Sequence, residues 1–153
     1  MSRTPGRPAA WIAIAVPAFF FLAAADLGLR SRGALAEAEK HARWRDNPTE
    51  KAAYFGAAYA EAVAAIKKDE AAGKLAPEQA ARAETLAAAE RDFRLSESSA
   101  KQAVIWYRTA AKEFRSPLNP WAGRAEKALP AALAAWRAEL KAKGVKAESW
   151  MLE

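Results

Sequence analysis

Pro8 to Leu29 reads PAAWIAIAVPAFFFLAAADLGL. From Ala9 to Ala25 it carries no charge, with Arg3 and Arg7 before it and Arg30 and Arg32 after it. The hydrocarbon core of a bilayer is about 30 Å thick and an α-helix rises about 1.5 Å per residue, so crossing takes roughly 20 apolar residues. The uncharged run alone falls slightly short of that length and reaches it when Asp26 to Leu29 is included. The expected organisation is a short basic tail over 1–8 and a transmembrane helix over 9–29. Trp11, Pro17, Phe19, Phe20, Phe21 and Leu22 would lie within the span.

Two readings of this segment compete. The basic start, the apolar centre and the small residues Ala23-Ala24-Ala25 have the form of a cleavable signal peptide. The other reading is an uncleaved signal-anchor whose helix continues through Leu27 and Leu29. Asp26 and Arg30 then stand one turn apart and can pair at the interface, while Trp11 suits the head-group layer at the opposite end. The anchor is the reading carried forward. Sidedness is balanced between two rules. Arg30, Arg32, Lys40, Arg43 and Arg45 after the span argue for a cytoplasmic domain, whereas a short basic tail before a first apolar helix resembles an exporting signal-anchor. Export is preferred. Pro17 should loosen the helix locally.

Beyond the span, roughly 120 residues remain, enough for one small domain. They are rich in Ala, Glu, Lys, Arg and Leu, the residues that lose least on entering a helix. The expected fold class is therefore all-α: one N-terminal transmembrane helix followed by a small helical-hairpin bundle. The chain of 153 residues has no cysteine, which excludes disulfides and thiolate metal sites. Its formal net charge of +6 favours anionic neighbours.

A basic arm over 30–46 follows the span. Arg30, Arg32, Lys40, Arg43, Trp44 and Arg45 are its candidate contacts with lipid head groups. Gly33 is a candidate interruption. Asn47-Pro48-Thr49-Glu50 then marks a helix start, with Asn as cap, Pro at the first helical position and Glu in the capping-box position. That helix should run from Pro48 to about Ala72 and bury Phe55, Tyr59, Ala62, Val63 and Ile66. A second should run from Pro77 to about Leu95, with Ala80, Ala83, Leu86, Ala87 and Phe93 inward. A third should span Ser99 to about Arg115, with Ala103, Trp106 or Tyr107, Ala110 and Phe114 as its stripe. A fourth should run from Pro120 to about Lys143, bent at Pro130. These four would form a domain over 47–144, leaving a tail over 145–153.

Gln102 to Leu133 reads QAVIWYRTAAKEFRSPLNPWAGRAEKALPAAL. An Ala and an aromatic pair on one helix, Phe114 at its end, Ser116-Pro117, then Trp121-Ala122 and Ala125 on the next helix resemble a tetratricopeptide-type hairpin. The likeness is to such hairpins in bacterial envelope lipoproteins and scaffold proteins, and it covers about a fifth of the chain. It implies a binding role in the envelope of a bacterium. No recurrence of about 34 residues is visible, so one hairpin within a bundle is expected rather than an array.

No catalytic constellation emerges. His41 is the single histidine, which excludes two-histidine zinc sites, and no Gly-rich phosphate loop, GxSxG or HExxH occurs. The acids alternate with bases as on solvated helix faces. Nucleic-acid binding asks for clustered cations with stacking aromatics, but Trp106, Trp121 and Trp136 fall on apolar stripes among interspersed charges. The expectation is thus a non-enzymatic accessory or scaffold subunit, single-pass in a bacterial inner membrane with its soluble part periplasmic. Its partners would be other subunits of a membrane complex and membrane lipid, with no cofactor, nucleic acid or small-molecule substrate. Leu118, Trp121, Trp150, Met151 and Leu152 are the candidate partner contacts. The alternative is a signal-cleaved secreted helical protein that binds an anionic ligand or polymer.

Overall fold

The computed structural model describes residues 7–115 and 119–146, the side chains of 7–10 excepted. The described residues are mostly helical, without strands. Helix α1 spans Arg7–Asp46, α2 Pro48–Ala71, α3 Pro77–Ser96, α4 Ser99–Arg108 and α5 Pro120–Ala142; a π-helical segment, Thr109–Glu113, continues α4.

Helix α1 is 40 residues long and passes through Gly33 without a break. A glycine inside a helix costs about 1 kcal/mol relative to alanine. Here that cost is offset by the residues around it, because Ser31, Ala34, Leu35 and Ala38 are all buried. Pro17 also lies within α1, where it removes one backbone donor.

The loops follow the turn chemistry of the sequence. Helix α2 follows α1 after the single residue Asn47, whose side chain makes no cap bond to the helix. The capping box expected there is replaced by Thr49 Oγ1 donating to Asn47 Oδ1 at 2.5 Å. At the other end of α2, Gly73 takes φ +69. Lys74 N–H donates to Asp69 C=O and Gly73 N–H to Glu70 C=O, both at 2.9 Å. This Schellman closure needs a left-handed residue, which glycine supplies without strain. Gly144, φ +70, ends α5 in the same way, with Val145 donating to Leu140 and Gly144 to Lys141. Helix α5 starts on Asn119, whose Oδ1 accepts from Trp121 and Ala122 N–H. Here, unlike at Asn47, the side-chain cap bonds form.

By their contacts the helices fall into two units. One is made by α1 up to Lys40 with the chain from Ala103 onward, the other by His41 to Gln102.

The first unit has an alanine-rich core. Ala34, Ala38, Ala103, Ala110, Ala111, Ala122, Ala125 and Ala132 are buried there, with Leu35, Val104, Tyr107 and Trp136. Small side chains let helix backbones approach closely. Each removes little apolar surface from water, however, at about 25 cal/mol per Å², so much of the specificity falls on a few polar ties. Ser31 is fully buried and its hydroxyl donates to the Ala110 carbonyl oxygen at 3.1 Å.

The second unit is built on the antiparallel pair α2 and α3. Lys51, 7% exposed, donates from Nζ to the carbonyl oxygens of Leu95 at 3.2 Å and Glu97 at 2.6 Å. A cation here suits the negative end of α3 and satisfies carbonyls that the helix leaves open. Phe55, Tyr59, Ala62, Val63 and Ile66 are half-buried, as the α2 stripe requires. On α3 the inward line differs from expectation. Ala80, Ala83, Glu84, Ala87, Ala88 and Arg91 lie on the covered side, while Leu86 and Phe93 are 65% and 60% exposed. The Arg91 guanidinium covers the Tyr59 ring at 4.6 Å. Alanines on α3 bring the helices close, and the two large residues, seven apart, take the outer face.

Candidate membrane anchor and interaction surfaces

Every side chain from Trp11 to Leu22 is exposed, on all sides of α1. Phe19, Phe20, Phe21 and Leu22 leave about two thirds of their surface uncovered. Soluble monomers rarely expose apolar patches beyond a few hundred Å². Among the described residues, α1 is the one helix long and apolar enough to cross a membrane, by length and composition. From Ala23 the pattern changes. Ala23, Ala24, Leu27 and Gly28 are half-buried, and Ser31, Ala34, Leu35 and Ala38 continue the same face into the core.

Asp26 sets a limit on depth. A Leu, Ile, Phe or Val at the bilayer centre gains about 0.3–0.6 kcal/mol, whereas an Asp there costs about 2.5–3.5 kcal/mol. One central acid would consume most of what the apolar residues contribute. Placed within a turn of the boundary and paired, it costs far less. The structure pairs it: Arg30 Nε donates to Asp26 Oδ2 at 2.8 Å.

The cations of the basic arm are engaged with the protein itself. Lys40 pairs with Glu37 at 2.5 Å, Arg43 with Glu50 at 3.8 Å and Arg45 with Asp46 at 2.7 Å. The Arg45–Asp46 pair is bidentate, and those hydrogen bonds hold the Asp46 carboxyl below its ordinary value of 3.8. Arg32 is different. Its guanidinium lies 5.6 Å from the centroid of the Trp121 ring, and among the described residues no carboxylate forms an ion pair with it.

Trp44, expected at the head groups, is 3% exposed. Its ring lies 5.0 Å from His41, 5.1 Å from Tyr54 and 5.4 Å from Phe55, centroid to centroid. The one-residue turn at Asn47 folds the start of α2 back along the end of α1 and encloses the indole. A ring so enclosed has almost no surface to offer a lipid.

Of the expected partner contacts, Leu118, Trp150, Met151 and Leu152 lie outside the described residues. Trp121 is half-buried, on the margin of the α5 line of Ala122, Ala125, Ala132 and Trp136. Arg124 lies 5.4 Å from its ring centroid and pairs with Glu39 at 3.3 Å. Leu86 and Phe93 lie outward, against the expectation that both face inward. The signal was the alanine spacing of α3, whose small residues define the packing face. Among the described residues no group of His, Cys, Asp or Glu is placed to hold a metal ion.

Comparison of the chain with known protein families, with curated proteins and with solved structures finds no match.

Proposed function

We propose that the chain is a single-pass, non-catalytic accessory or scaffold subunit of a bacterial inner-membrane complex, anchored by α1 and exposing its other helices on the periplasmic side. The observation that carries the anchor is the exposed apolar surface from Trp11 to Leu22, which water would penalise on every side. The binding role is supported by Leu86 and Phe93, two large apolar side chains displayed on the outer face of α3. In this reading α4, its π-helical end and α5 form the tetratricopeptide-like hairpin, with close approach made possible by Ala103, Ala110, Ala122 and Ala125. The periplasmic placement follows the short basic tail ahead of a first apolar helix, the form of an exporting anchor.

The test is site-directed photo-crosslinking in native membranes with probes at Leu86 and Phe93. The proposal expects a discrete adduct with one membrane-complex subunit, identified by mass, and its loss when the other of the two residues is changed to Asp. Absence of any adduct, with the chain running alone on a native gel after mild solubilisation, contradicts it.

A further inference from the structure

We infer that the start of α5 is an interfacial collar: Trp121, together with Arg32 and Arg124, occupies the phospholipid head-group layer beside the span. This rests on the anchor reading and adds to it a second element that meets the membrane.

Leu29 is the last large apolar residue of the span and is exposed, and Asp26 with its partner Arg30 needs to lie within a turn of the boundary. A span from Ala9 to Leu29 is about 30 Å long at 1.5 Å per residue, matching the hydrocarbon thickness. Arg32 then stands about 4.5 Å beyond the hydrocarbon edge. The head-group region is roughly 5–7 Å thick on each side, so Arg32 falls inside it.

Trp121 is fixed at the level of Arg32 by its ring contact, 5.6 Å from guanidinium to centroid. A further tie, Arg124 to Glu39 at 3.3 Å, holds these helices in register, and Ser31 donating to the Ala110 carbonyl at 3.1 Å ties α1 to the π-helical segment that precedes α5. The depth of α1 in the bilayer therefore sets the depth of the α5 start. Contacts 32 to 121 and 39 to 124 also show that α5 leads away from the membrane as α1 does.

The residue chemistry fits that layer. An indole has an apolar body and one N–H donor, and tryptophan is enriched at membrane–water interfaces for that reason. Arg32 has no carboxylate partner among the described residues, which leaves its guanidinium donors for phosphate oxygens, a geometry that guanidinium groups favour. Arg124 is shared with Glu39, so its contribution is to hold the ring rather than to bring net charge. Trp121 lies beside the buried α5 line, so its uncovered edge is available to lipid.

The test uses the absence of cysteine from the chain. Full-length single-cysteine variants Phe20→Cys, Gly123→Cys and Val145→Cys are spin-labelled and reconstituted in nanodiscs of phosphatidylcholine with one quarter phosphatidylglycerol. Gly123 is suitable because a β-carbon there meets nothing within 4 Å. Collision with oxygen against a water-soluble nickel chelate reports depth. The expected order is Phe20 in hydrocarbon, Gly123 at the head groups and Val145 in water. A Gly123 label as wet as Val145 while Phe20 remains in hydrocarbon overturns the collar and leaves the anchor standing. A Gly123 label shielded from both reagents means a protein cover and also overturns it. A Phe20 label in water removes the anchor and the collar together.

Discussion

The hydroxyl of Ser31 donates to the carbonyl oxygen of Ala110, 79 residues further along the chain, in a fully buried position. The acceptor belongs to the π-helical segment Thr109–Glu113. Wide turns of this kind disturb the regular i to i+4 ladder and occur mostly as short insertions. The Ala110 carbonyl there accepts from Ser31. The bond joins the part of α1 just beyond its apolar run to the π-helical segment.

Ser31→Ala removes the donor and leaves the Ala110 carbonyl buried without it. Such a loss costs about 1–3 kcal/mol. Thermal unfolding of the detergent-solubilised protein should show a midpoint lower by several degrees, and amide exchange should rise first across 109–113. An unchanged midpoint would mean that water replaces the hydroxyl at no cost.

Lys51 is the corresponding tie in the second unit. Lys51→Met keeps the length of the stem but withdraws the ammonium from the Leu95 and Glu97 carbonyls. Hydrogen bonds to charged groups contribute about 1.5–3 kcal/mol, so denaturant midpoints should fall accordingly. Faster exchange at the last turn of α3, with the α5 amides unaffected, would assign the loss to this cap.

Removing the Trp44 ring tests the aromatic cluster. Trp44→Ala should cost about 3–5 kcal/mol, as large core truncations do, and should abolish much of the near-ultraviolet circular dichroism. Trp44→Phe, which retains a ring against Tyr54 and Phe55, should recover most of the stability. If Trp44→Ala proved neutral in stability yet weakened vesicle binding, the residue would belong to the lipid surface after all.

The Arg45–Asp46 pair predicts a pH effect of definite sign. The folded Asp46 carboxyl is held below 3.8, so its contribution is present above the unfolded value and is lost as pH falls through the lower folded one. Because the carboxylate is largely exposed the effect on stability is small, and the direct readout is an NMR titration of the Asp46 carboxyl carbon. Arg45→Gln should return its midpoint towards the ordinary aspartate range.

Much of this architecture was legible in the chain itself. Pro48, Pro77 and Pro120 each begin a helix, and Gly73 and Gly144 each close one in the left-handed conformation that favours glycine. Punctuation of this kind is local, so it can be read locally. The inward face of α3 could not be read in that way. Large apolar residues suggested that Leu86 and Phe93 point inward, but close packing selected the alanine face instead. Gly33 and Trp44 share a different cause. Whether a glycine breaks a helix, and whether an indole is covered, depends on what packs there from distant sequence. For Gly33 the flanking side chains are buried, and for Trp44 the cover comes from Tyr54 and Phe55. Along the basic arm, Arg30, Lys40, Arg43 and Arg45 sit within reach of Asp26, Glu37, Glu50 and Asp46. Spacing along α1 foretold the first of these pairs.

The central claim is that α1 crosses the membrane uncleaved. Alkaline carbonate extraction of native membranes, followed by intact mass of the chain recovered, tests it most directly. The account predicts full-length protein retained in the membrane pellet. A soluble chain beginning at Asp26 would contradict it and favour the secreted helical binder.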